Sequence, residues 1–427
     1  MAHNRETVAI IGLGYVGLPL ALLADKRGYK VIGVDNNSEK VELLNQHIAP
    51  FANAEIARSI KQSTIEATCD FNAIKKASTI IICVPTPIHE DNTPNLEPLK
   101  DACKNVAVAL QRGQLVIVES TVNPGISETI VLPMLQELSG LKAGHDFYLA
   151  HCPERINPGD KQWNVQNINR VVGSLEEVGL KKAIKFYRSI ITGEIKPMGS
   201  LKEAEAVKVV ENAFRDINIA FVNELAQSFS KLGIDVVNVI EGAATKPFAF
   251  MPHYPGCGVG GHCIPVDPYY LIEYARENGF NHKFLSLARR INLGMPRFAV
   301  DLLVKGLNEK KIAVKDARVV VLGLSYKPEV DDYRESPSFE IIKYLEEYGA
   351  HIAIYDPFVP EKSTASSLGE ALERADAAII ATAHSCFKEI SPDQFLEAGV
   401  AVVIDGRNCL PKEKFIKVGI IYKGIGR

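Results

Sequence analysis

Short apolar runs alternate with amphipathic stretches along residues 1–150. Apolar strands separated by helices predict a parallel sheet covered by helices on both faces, because each strand then buries both of its sides. The predicted strands are Val8–Gly12, Lys30–Val34, Thr79–Val84, Leu115–Val118 and Phe147–Ala150. The predicted helices between them are Leu18–Lys26, Ser38–Gln46, Leu99–Leu110 and Ile126–Glu137.

The same alternation returns near the C-terminus, where "VVVLGLSYKP…GAHIAIYDP" echoes "VAIIGLGYVGLP…GYKVIGVD" at the start of the chain. The two ends therefore predict two related α/β domains, a repeat of fold and not of a short solenoid unit. The predicted strands of the second domain are Val319–Leu324, His351–Tyr355, Ala377–Ile380 and Val400–Ile404. Its predicted helices are Ser338–Tyr348 and Ser367–Arg374.

A different pattern lies between these domains. Residues Ser200–Leu232 contain no proline and favour helix throughout, and Gly233 supplies a stop signal. This stretch predicts one long helix. A charged cluster at Glu309–Asp316 predicts a linker before the second α/β domain.

Composition excludes several classes of function. Of 427 residues, 47% are hydrophobic and 23% charged, with a net charge of −3, so neither nucleic acid nor an anionic membrane is expected as partner. No apolar run approaches the roughly 20 residues of a membrane span, and the polar start of the chain does not resemble a signal peptide. Eight cysteines without a CxxC pair predict a cytoplasmic protein, in which a special cysteine is a reactive thiol.

A glycine fingerprint follows the first predicted strand. Gly12, Gly14 and Gly17 have G-x-G-x-x-G spacing and open a helix, and Asp35 ends the second strand. Such glycines permit a tight turn, a close approach of backbone to a pyrophosphate, and close packing of helix on strand. The carboxylate would bind ribose hydroxyls and repel a 2′-phosphate, which favours NAD over NADP. The competing interpretation is a glycine turn that only packs.

The second copy lacks this fingerprint, because Leu324, Ser325 and Tyr326 follow Gly323. It is therefore not expected to bind a dinucleotide. The predicted fold class is α/β, with two Rossmann-like doubly wound domains joined by a long central helix and a helical middle domain. The predicted domains are 1–198, 199–308 and 309–427.

The segment "CGVGGHCIPVDPYY" (257–270) is the most unusual in the chain. Its glycines can expose backbone N–H groups beside Cys263, as an anion nest or oxyanion site requires, and Asp267 is a candidate base. Two other interpretations stay open: a buried, inert cysteine in a glycine turn, and a zinc site. The zinc site would use His253, Cys257, His262 and Cys263.

The long helix carries apolar residues almost all round, which predicts burial. Five polar residues nevertheless fall within a wedge of about 100° on it. They are Lys208, Asn212, Arg215, Asp216 and Asn223. Polar groups on a buried helix need partners, either a Lys–Asp pair within a subunit interface or a ligand. Lys208 and Asn212, four residues apart, would present an ammonium and an amide at one point.

Six motifs, in order along the chain, resemble those of the UDP-glucose/GDP-mannose dehydrogenase family. They are "GLGYVGLP", "ESTVNPG", "CPERINPGD", "KVVENAFRDINIAFVNE", "GVGGHCIPVDPYY" and "GLSYKPEVDDYRESP". Two of them, "PERINPGD" and "GGHCIPVDPYY", resemble the branch that acts on UDP-N-acetylhexosamines. The resemblance implies an N-terminal NAD-binding domain, a C-terminal UDP-sugar-binding domain and a homodimer formed through the central helix.

The resemblance also implies roles at matched positions. Cys263 is similar to the family's nucleophile and Asp267 to its water-activating carboxylate, while Lys208 and Asn212 match the pair that holds a water and the oxyanion. Glu154 and Thr121 match the acid–base relay. The implied NAD-binding residues are Gly12, Gly14, Tyr15, Val16, Gly17, Asp35, Pro85, Thr86, Thr121 and Arg334. The implied substrate-binding residues are Glu154, Arg155, Asn157, Lys208, Asn212, His253, Gly260 and Lys327. No metal site is implied.

The implied reaction removes four electrons from the C6 hydroxymethyl of a UDP-N-acetylhexosamine and uses two NAD. Cys263 would form a thiohemiacetal and then a thioester, which water hydrolyses to the uronate, a precursor of polysaccharide. The first-choice substrate is UDP-N-acetyl-D-glucosamine, and its manno and galacto epimers are alternatives. Two competing functions are a two-electron hydroxyacid dehydrogenase and a non-catalytic NAD-binding protein.

Overall fold

The structure is a computed structural model that describes residues 6–51, 54–89, 93–156 and 162–427. The chain forms two compact units. The N-terminal unit comprises Met1–Glu211 and Tyr269–Phe280, and the C-terminal unit comprises Asn212–Pro268 and Asn281–Arg427. The division of the chain into three domains, with boundaries at 198 and 308, stays a prediction. Among the described residues, no helix combines the length and apolar character that a membrane span needs.

The N-terminal unit is built on an eight-stranded sheet in the order β3-β2-β1-β4-β5-β6-β7-β8. Its strands are β1 (Thr7–Ile11), β2 (Lys30–Val34), β3 (Glu66–Thr68), β4 (Thr79–Ile82), β5 (Leu115–Val118), β6 (Tyr148–His151), β7 (Arg170–Ser174) and β8 (Ile195–Pro197). All five predicted strands are present. The neighbours pair in parallel except β6 and β7, which are antiparallel. The strands predicted within residues 1–150 pair in parallel, as predicted, and the antiparallel β7 lies beyond that range. The short β3 and β8 and the charged start of β7 carried no strand signal.

Helices cover both faces of this sheet, and two apolar cores fill the space between. The helices before the central region are α1 (Gly17–Lys26), α2 (Ser38–Asn45), α3 (Ala54–Ile60), α4 (Glu97–Ala109), α5 (Leu132–Ser139) and α6 (Glu177–Ile190). The predicted helix Ile126–Glu137 is divided into a π-helical turn, Ser127–Val131, and α5. Pro133 lacks the N–H that a continuous α-helix would need at this point.

The C-terminal unit contains a five-stranded parallel sheet in the order β10-β9-β11-β12-β13. Its strands are β9 (Arg318–Leu322), β10 (His351–Tyr355), β11 (Ala377–Ile380), β12 (Val402–Asp405) and β13 (Ile421–Gly424). The α-helices that follow α6 in the described residues are α7 (Leu201–Leu232), α8 (Val236–Ala244), α9 (Asp267–Glu277), α10 (Lys283–Glu309), α11 (Pro337–Glu347), α12 (Leu368–Leu372), α13 (Ser385–Lys388), α14 (Pro392–Glu397) and α15 (Lys412–Lys417). Two Rossmann-like sheets and a long central helix confirm the predicted fold class.

The sequence repeat between the two ends is also a repeat of hydrogen bonds. The backbone N–H of Leu13 donates to Asp35 Oδ2 over 2.8 Å, and the N–H of Leu324 donates to Asp356 Oδ2 over 2.6 Å. Asp356, however, also lies 3.2 Å from His384 Nε2 and is almost fully buried. The chain's own groups therefore surround the carboxylate that would bind a ribose in the second sheet.

The long helix α7 confirms the prediction for residues Ser200–Leu232, but not its burial on all sides. Val210, Phe214 and Phe221 are about half exposed, whereas Val209 and Ala213 are buried. A helix of this length meets the rest of a single chain along one face only, so apolar residues on its other face stay exposed.

Candidate active site

The glycine turn after β1 has the shape that a dinucleotide requires. Gly12 has φ of +90°, and a Cβ placed there would lie 2.8 Å from the Cys83 carbonyl oxygen. A Cβ on Gly17 would overlap the Gly12 carbonyl oxygen, so both positions exclude a side chain. Gly14 has no atom within 4 Å of its Cβ position. The backbone there is open to a phosphate at the N-terminus of α1.

Asp35 follows β2 and is held by the turn. It accepts from the N–H of Leu13 at 2.8 Å and of Asn37 at 3.0 Å, and from Lys40 Nζ at 2.8 Å. Burial acts to raise the pKa of Asp35, but the bonds from Lys40 and the two N–H groups outweigh it, and the pKa is lowered. An ionised carboxylate suits two ribose hydroxyl donors. The turn and Asp35 together fit NAD.

Two further predicted cofactor residues meet where β4 and β5 end. Thr86 Oγ1 donates to the Thr121 carbonyl oxygen over 2.6 Å, and the Tyr270 hydroxyl donates to the Thr86 carbonyl oxygen. Pro85 is adjacent and exposed. Tyr15 and Val16 lie on the glycine turn. Tyr15 is exposed and packs against Phe51, with the two ring centroids 4.3 Å apart. The carboxyl ends of parallel strands are where doubly wound sheets bind ligands.

Glu154 belongs to a buried network of charges at the same edge. Its Oε2 lies 3.2 Å from Arg170 Nη2, and Arg170 Nη1 lies 3.0 Å from Glu119 Oε1. The Tyr187 hydroxyl also donates to Glu119 Oε1. The side chains of Arg170 and Glu119 are at most 1% exposed. Sequence reasoning missed Glu119, Arg170 and Tyr187, although a charged residue at the edge of a buried strand was an available signal.

Burial raises the pKa of Glu119 to about 7, the nearby charge of Arg170 opposing the rise and that of Glu154 adding to it. Burial also raises the pKa of the Cys152 thiol to about 12, and it raises the pKa of Cys83 well above its ordinary value. With its pKa at about 7, Glu119 titrates near neutral pH.

The backbone after Glu154 closes on its carboxylate. Glu154 Oε1 accepts from the N–H groups of Arg155 and Ile156, each at 2.6 Å. Arg155 pairs with the carboxylate of Glu211 and donates to the Asn169 carbonyl oxygen. In this conformation the predicted substrate contact Arg155 is engaged by the protein. Asn157, another predicted contact, lies outside the described residues.

In the C-terminal unit, the structure brings together three predicted catalytic residues. Cys263 is exposed, and its carbonyl oxygen accepts from the N–H of Asp267 at 2.8 Å, at the start of α9. Asn212 Nδ2, on α7, donates to Asp267 Oδ2 over 2.5 Å. The exposure of Cys263 excludes the interpretation of a buried, inert cysteine.

The glycine loop around Cys263 is fixed by close packing. A Cβ on Gly260 would lie 2.7 Å from the Glu335 carbonyl oxygen, and one on Gly261 would lie 2.8 Å from the Tyr326 ring. The N–H of Gly261 donates to the Arg334 carbonyl oxygen over 3.0 Å. The Arg334 guanidinium pairs with Asp332 at 2.6 Å. Its predicted contact with NAD stays a prediction.

Two residues of the polar wedge have structural partners. Asp216 Oδ1 accepts from Arg289 Nη1 at 2.6 Å and from Asn292 Nδ2 at 2.8 Å. Asn223 donates to Asn292 Oδ1 at 2.9 Å and accepts from the N–H of Gly256 at 3.0 Å. This chain of bonds anchors the glycine loop to α7 and α10. Asp216 pairs with an arginine of the same chain, and a Lys–Asp pair within a subunit interface stays a prediction.

The zinc interpretation gains no support. Cys257 is buried in the core, with its Sγ 3.7 Å from the Gly406 carbonyl oxygen, and His253 Nδ1 lies 3.0 Å from the Met251 carbonyl oxygen. Within the described ranges, no three His, Cys, Asp or Glu residues are grouped to hold a metal. Of the other predicted contacts, Lys208 lies on α7 in the N-terminal unit, and Lys327 lies after β9; both are half-buried.

A cavity of about 380 Å³ opens in the C-terminal unit at the ends of β11 and β12. Two cations, Arg407 and Lys388, outnumber the one carboxylate in its lining, Glu241, and Tyr254 and Val237 give it an apolar side. Arg407 is fixed by a bond of 2.8 Å from its Nε to the Ala381 carbonyl oxygen. The residues that line the cavity are Val237, Glu241, Tyr254, Ala383, Lys388, Arg407, Asn408 and Cys409. This cavity was not predicted from the sequence, although "DGRN" at the end of β12 was a signal.

Comparison with known proteins identifies the family of the chain. Three family models match in order: the NAD binding domain at 6–191, the central domain at 202–293 and the UDP binding domain at 320–412 of the UDP-glucose/GDP-mannose dehydrogenase family. The chain is 39% identical to a UDP-N-acetyl-D-mannosamine dehydrogenase of Pyrococcus horikoshii, covering 98% of this chain and 99% of that protein. It is 38% identical to a UDP-N-acetyl-D-glucosamine 6-dehydrogenase of Pseudomonas aeruginosa, covering 95% and 98%.

A solved structure of the UDP-D-ManNAc dehydrogenase from Pyrococcus horikoshii superposes with a TM-score of 0.93 at 38% identity, covering 99% of both chains. The family resemblance of the six motifs is thereby confirmed, and so are NAD as cofactor and a domain for UDP. The chain belongs to the UDP-glucose/GDP-mannose dehydrogenase family and is an NAD-dependent oxidoreductase.

Proposed function

We propose that this chain oxidises the C6 hydroxymethyl of a UDP-N-acetylhexosamine to a carboxylate in two successive two-electron steps. The observation that carries the proposal is the exposed Cys263 beside the hydrogen-bonded pair Asn212 and Asp267. A two-electron alcohol dehydrogenase needs no nucleophile, whereas oxidation of an aldehyde to an acid needs one that makes the carbonyl carbon tetrahedral.

NAD, when bound at the glycine turn, accepts a hydride in each oxidation. Glu154 and Thr121 relay the proton of the C6 hydroxyl as the alcohol becomes an aldehyde. The Cys263 thiol then loses its proton to solvent as its sulfur bonds to the aldehyde carbon, and the Lys208 ammonium and Asn212 amide stabilise the resulting oxyanion. After the second oxidation, Asp267 takes a proton from the water that attacks the thioester. The carbon–sulfur bond breaks, the thiol is restored and the carboxylate leaves.

The cavity beside Arg407 is our proposed site for the UDP part of the substrate. Arg407 and Lys388 supply charge for the diphosphate, and Tyr254 and Val237 supply an apolar surface for the base. The match to the UDP binding domain over 320–412 supports this assignment. Arg407→Ala is expected to raise the KM for the UDP-sugar more than it lowers kcat.

The substrate could be any of three UDP-N-acetylhexosamines, which differ in configuration at C2 or C4 of the sugar. The two curated relatives differ by 1% in identity, 39% against 38%, and are named for mannosamine and glucosamine respectively. UDP-N-acetyl-D-glucosamine is our first-choice substrate, and the manno and galacto epimers are the alternatives. Epimer choice depends on one or two hydrogen bonds to a ring hydroxyl, so an assay with all three UDP-sugars is needed to identify the substrate.

The test is NADH release from these UDP-sugars with the full chain. We expect two NADH per sugar, which separates the proposal from a hydroxyacid dehydrogenase that gives one. Cys263→Ser should keep sugar binding and lose uronate formation, whereas Cys386→Ser, at another exposed cysteine of the same unit, should keep both. Steady uronate formation by Cys263→Ser would refute the covalent step. No turnover of any UDP-sugar, with iodoacetamide labelling of Cys263 unaffected by them, would favour a non-catalytic NAD-binding protein.

We also propose that the chain forms a homodimer through α7. Val210, Phe214 and Phe221 are exposed apolar residues, spaced four and seven apart on one side of this helix. Exposed apolar stripes of this kind are typical of helix–helix interfaces. Light scattering after size-exclusion chromatography is expected to give twice the mass of the chain, and Phe221→Glu to weaken the association.

A further inference from the structure

One buried cation forms ion pairs with two buried carboxylates in the N-terminal unit. Arg170 begins β7, Glu119 directly follows β5, and Glu154 comes three residues after the end of β6. All three meet at the edge of the sheet where the cofactor site lies. A single guanidinium between two acids cannot neutralise both, so the proton on one acid affects the other.

We propose that Arg170 and Glu119 are positioning residues for Glu154. Arg170 holds the carboxylate of Glu154 in place for proton transfer. Glu119 competes with Glu154 for the positive charge of Arg170. This inference rests on the proposed function, in which Glu154 belongs to the proton relay.

The contacts of Glu154 fix its orientation. Oε1 accepts two backbone N–H groups, from Arg155 and Ile156, and Oε2 accepts from Arg170. A carboxylate oxygen accepts about two hydrogen bonds, so Oε1 is filled and Oε2 keeps one acceptor position. That remaining position is the one from which Glu154 can exchange a proton. Without Arg170, the backbone bonds would hold one oxygen only and the carboxylate could turn about it.

The second carboxylate competes for the same guanidinium. Glu119 Oε1 contacts Arg170 Nη1 and the Tyr187 hydroxyl, and Glu119 Oε2 is 4.0 Å from Cys83 Sγ. The neighbouring groups Cys83, Cys152 and Tyr187 all have a raised pKa and stay neutral near pH 7. Protonated Glu119 leaves the full charge of Arg170 to Glu154, whereas ionised Glu119 divides it.

The test measures kcat and KM between pH 6 and 8 for the full chain, with NAD and UDP-N-acetyl-D-glucosamine or the epimer that wild type uses. Arg170→Lys keeps the charge but cannot bridge two carboxylates, and we expect kcat to fall roughly 100-fold with a small change in KM for NAD. Glu119→Gln mimics the protonated acid at every pH. The ratio of its kcat to that of wild type is expected to rise with pH through about 7.

Matched controls separate positioning from folding. Arg112→Lys changes another ion-paired arginine of the unit, and Glu176→Gln changes another carboxyl whose pKa is raised by burial. Both are expected to keep the wild-type kcat and pH profile. Thermal melting of each variant identifies any that fail to fold, and Glu119→Gln, with unchanged shape, provides the test if Arg170→Lys does not fold.

The outcomes are distinct. A ratio for Glu119→Gln that stays flat from pH 6 to 8, in an enzyme that wild type shows to be active, overturns the role of Glu119. A folded Arg170→Lys with wild-type kcat overturns that of Arg170. If wild type itself oxidises no UDP-N-acetylhexosamine, the proposed function fails, and the network is then a structural ion pair.

Discussion

The side-chain amide of Asn212 donates to Asp267 Oδ2 over 2.5 Å, joining residues that are 55 positions apart. Asp267 is only 3% exposed and begins a helix, where its charge also meets the positive end of the helix dipole. The bond orients both groups beside the loop of Cys263. In the mechanism proposed above, Asn212 binds the oxyanion and Asp267 activates water.

Asp267→Asn is expected to stop the reaction at the thioester. The amide keeps the shape and the contact near Asn212 but cannot take a proton from water. General-base assistance is worth about 10²–10⁴-fold, so uronate release should fall by that factor. Rapid mixing should show a burst of two NADH per subunit, and intact-mass spectrometry should show a sugar adduct that Cys263→Ser lacks. A linear time course without an adduct would contradict the role of Asp267.

Asp35→Ser is expected to weaken the preference for NAD over NADP. The change removes the acceptor for ribose hydroxyls and releases Lys40, whose Nζ lies 2.8 Å from the carboxylate. Bonds to charged groups contribute about 1.5–3 kcal/mol, so kcat/KM for NAD should fall 10- to 100-fold while that for NADP rises. The double variant Asp35→Ser/Lys40→Ala should lose the gain with NADP. An unchanged cofactor ratio in the single variant would argue against this ribose contact.

Gly260→Ala is expected to disrupt the thiol loop. Its new methyl group would lie 2.7 Å from a backbone oxygen of Glu335 and 2.9 Å from Tyr326 Cβ, neither of which can move freely. Overpacking of this kind costs about 1–3 kcal/mol, and a shifted loop should also slow the reaction of Cys263 with iodoacetamide or substrate. Gly294→Ala, in helix α10 with open space around it, is the control and should be neutral or stabilising. Equal melting temperatures for the two variants would contradict the close packing.

Asp216→Ala is expected to destabilise the C-terminal unit by about 3–5 kcal/mol, because it removes a buried carboxylate that pairs with Arg289. Asp301→Ala breaks an exposed pair with Arg297 in the same unit and should cost about 0.2–1 kcal/mol. Urea denaturation measures both. Replacing Asp216 and Arg289 together by leucine and methionine should recover most of the loss; a double variant as unstable as Asp216→Ala would show that the buried charge is not the cause.

The raised pKa of Glu119 has a consequence for stability. Because the folded chain binds this proton more tightly than the unfolded chain, the stabilisation is complete below pH 4.5 and is lost as pH rises to about 7. Wild type should therefore lose stability relative to Glu119→Gln between pH 5 and 7, by about 3 kcal/mol or less. Melting temperatures at several pH values test this. A difference between the two proteins that does not vary with pH would contradict it.

Local pattern was sufficient for much of the fold. The strands β2, β5, β10 and β11 begin and end at the predicted residues. A buried strand of a parallel sheet is a continuous apolar run, so the ends of the run predict the ends of the strand. Strands of three residues, such as β3 and β8, have no period to detect. The antiparallel β7 begins with Arg170, whose charge hid the strand because its partners Glu119 and Glu154 are 51 and 16 residues away.

The sequence by itself determined the glycine turn, the acidic end of β2, the long helix and the family, because each depends on residues near one another in the chain or on motif order. Only the tertiary structure decided which polar residues of α7 have structural partners, that Arg170 joins two acids, and that Arg407 lines a cavity. Ion pairs and cavities form between distant segments, and the identity of a residue does not specify which distant group it will meet.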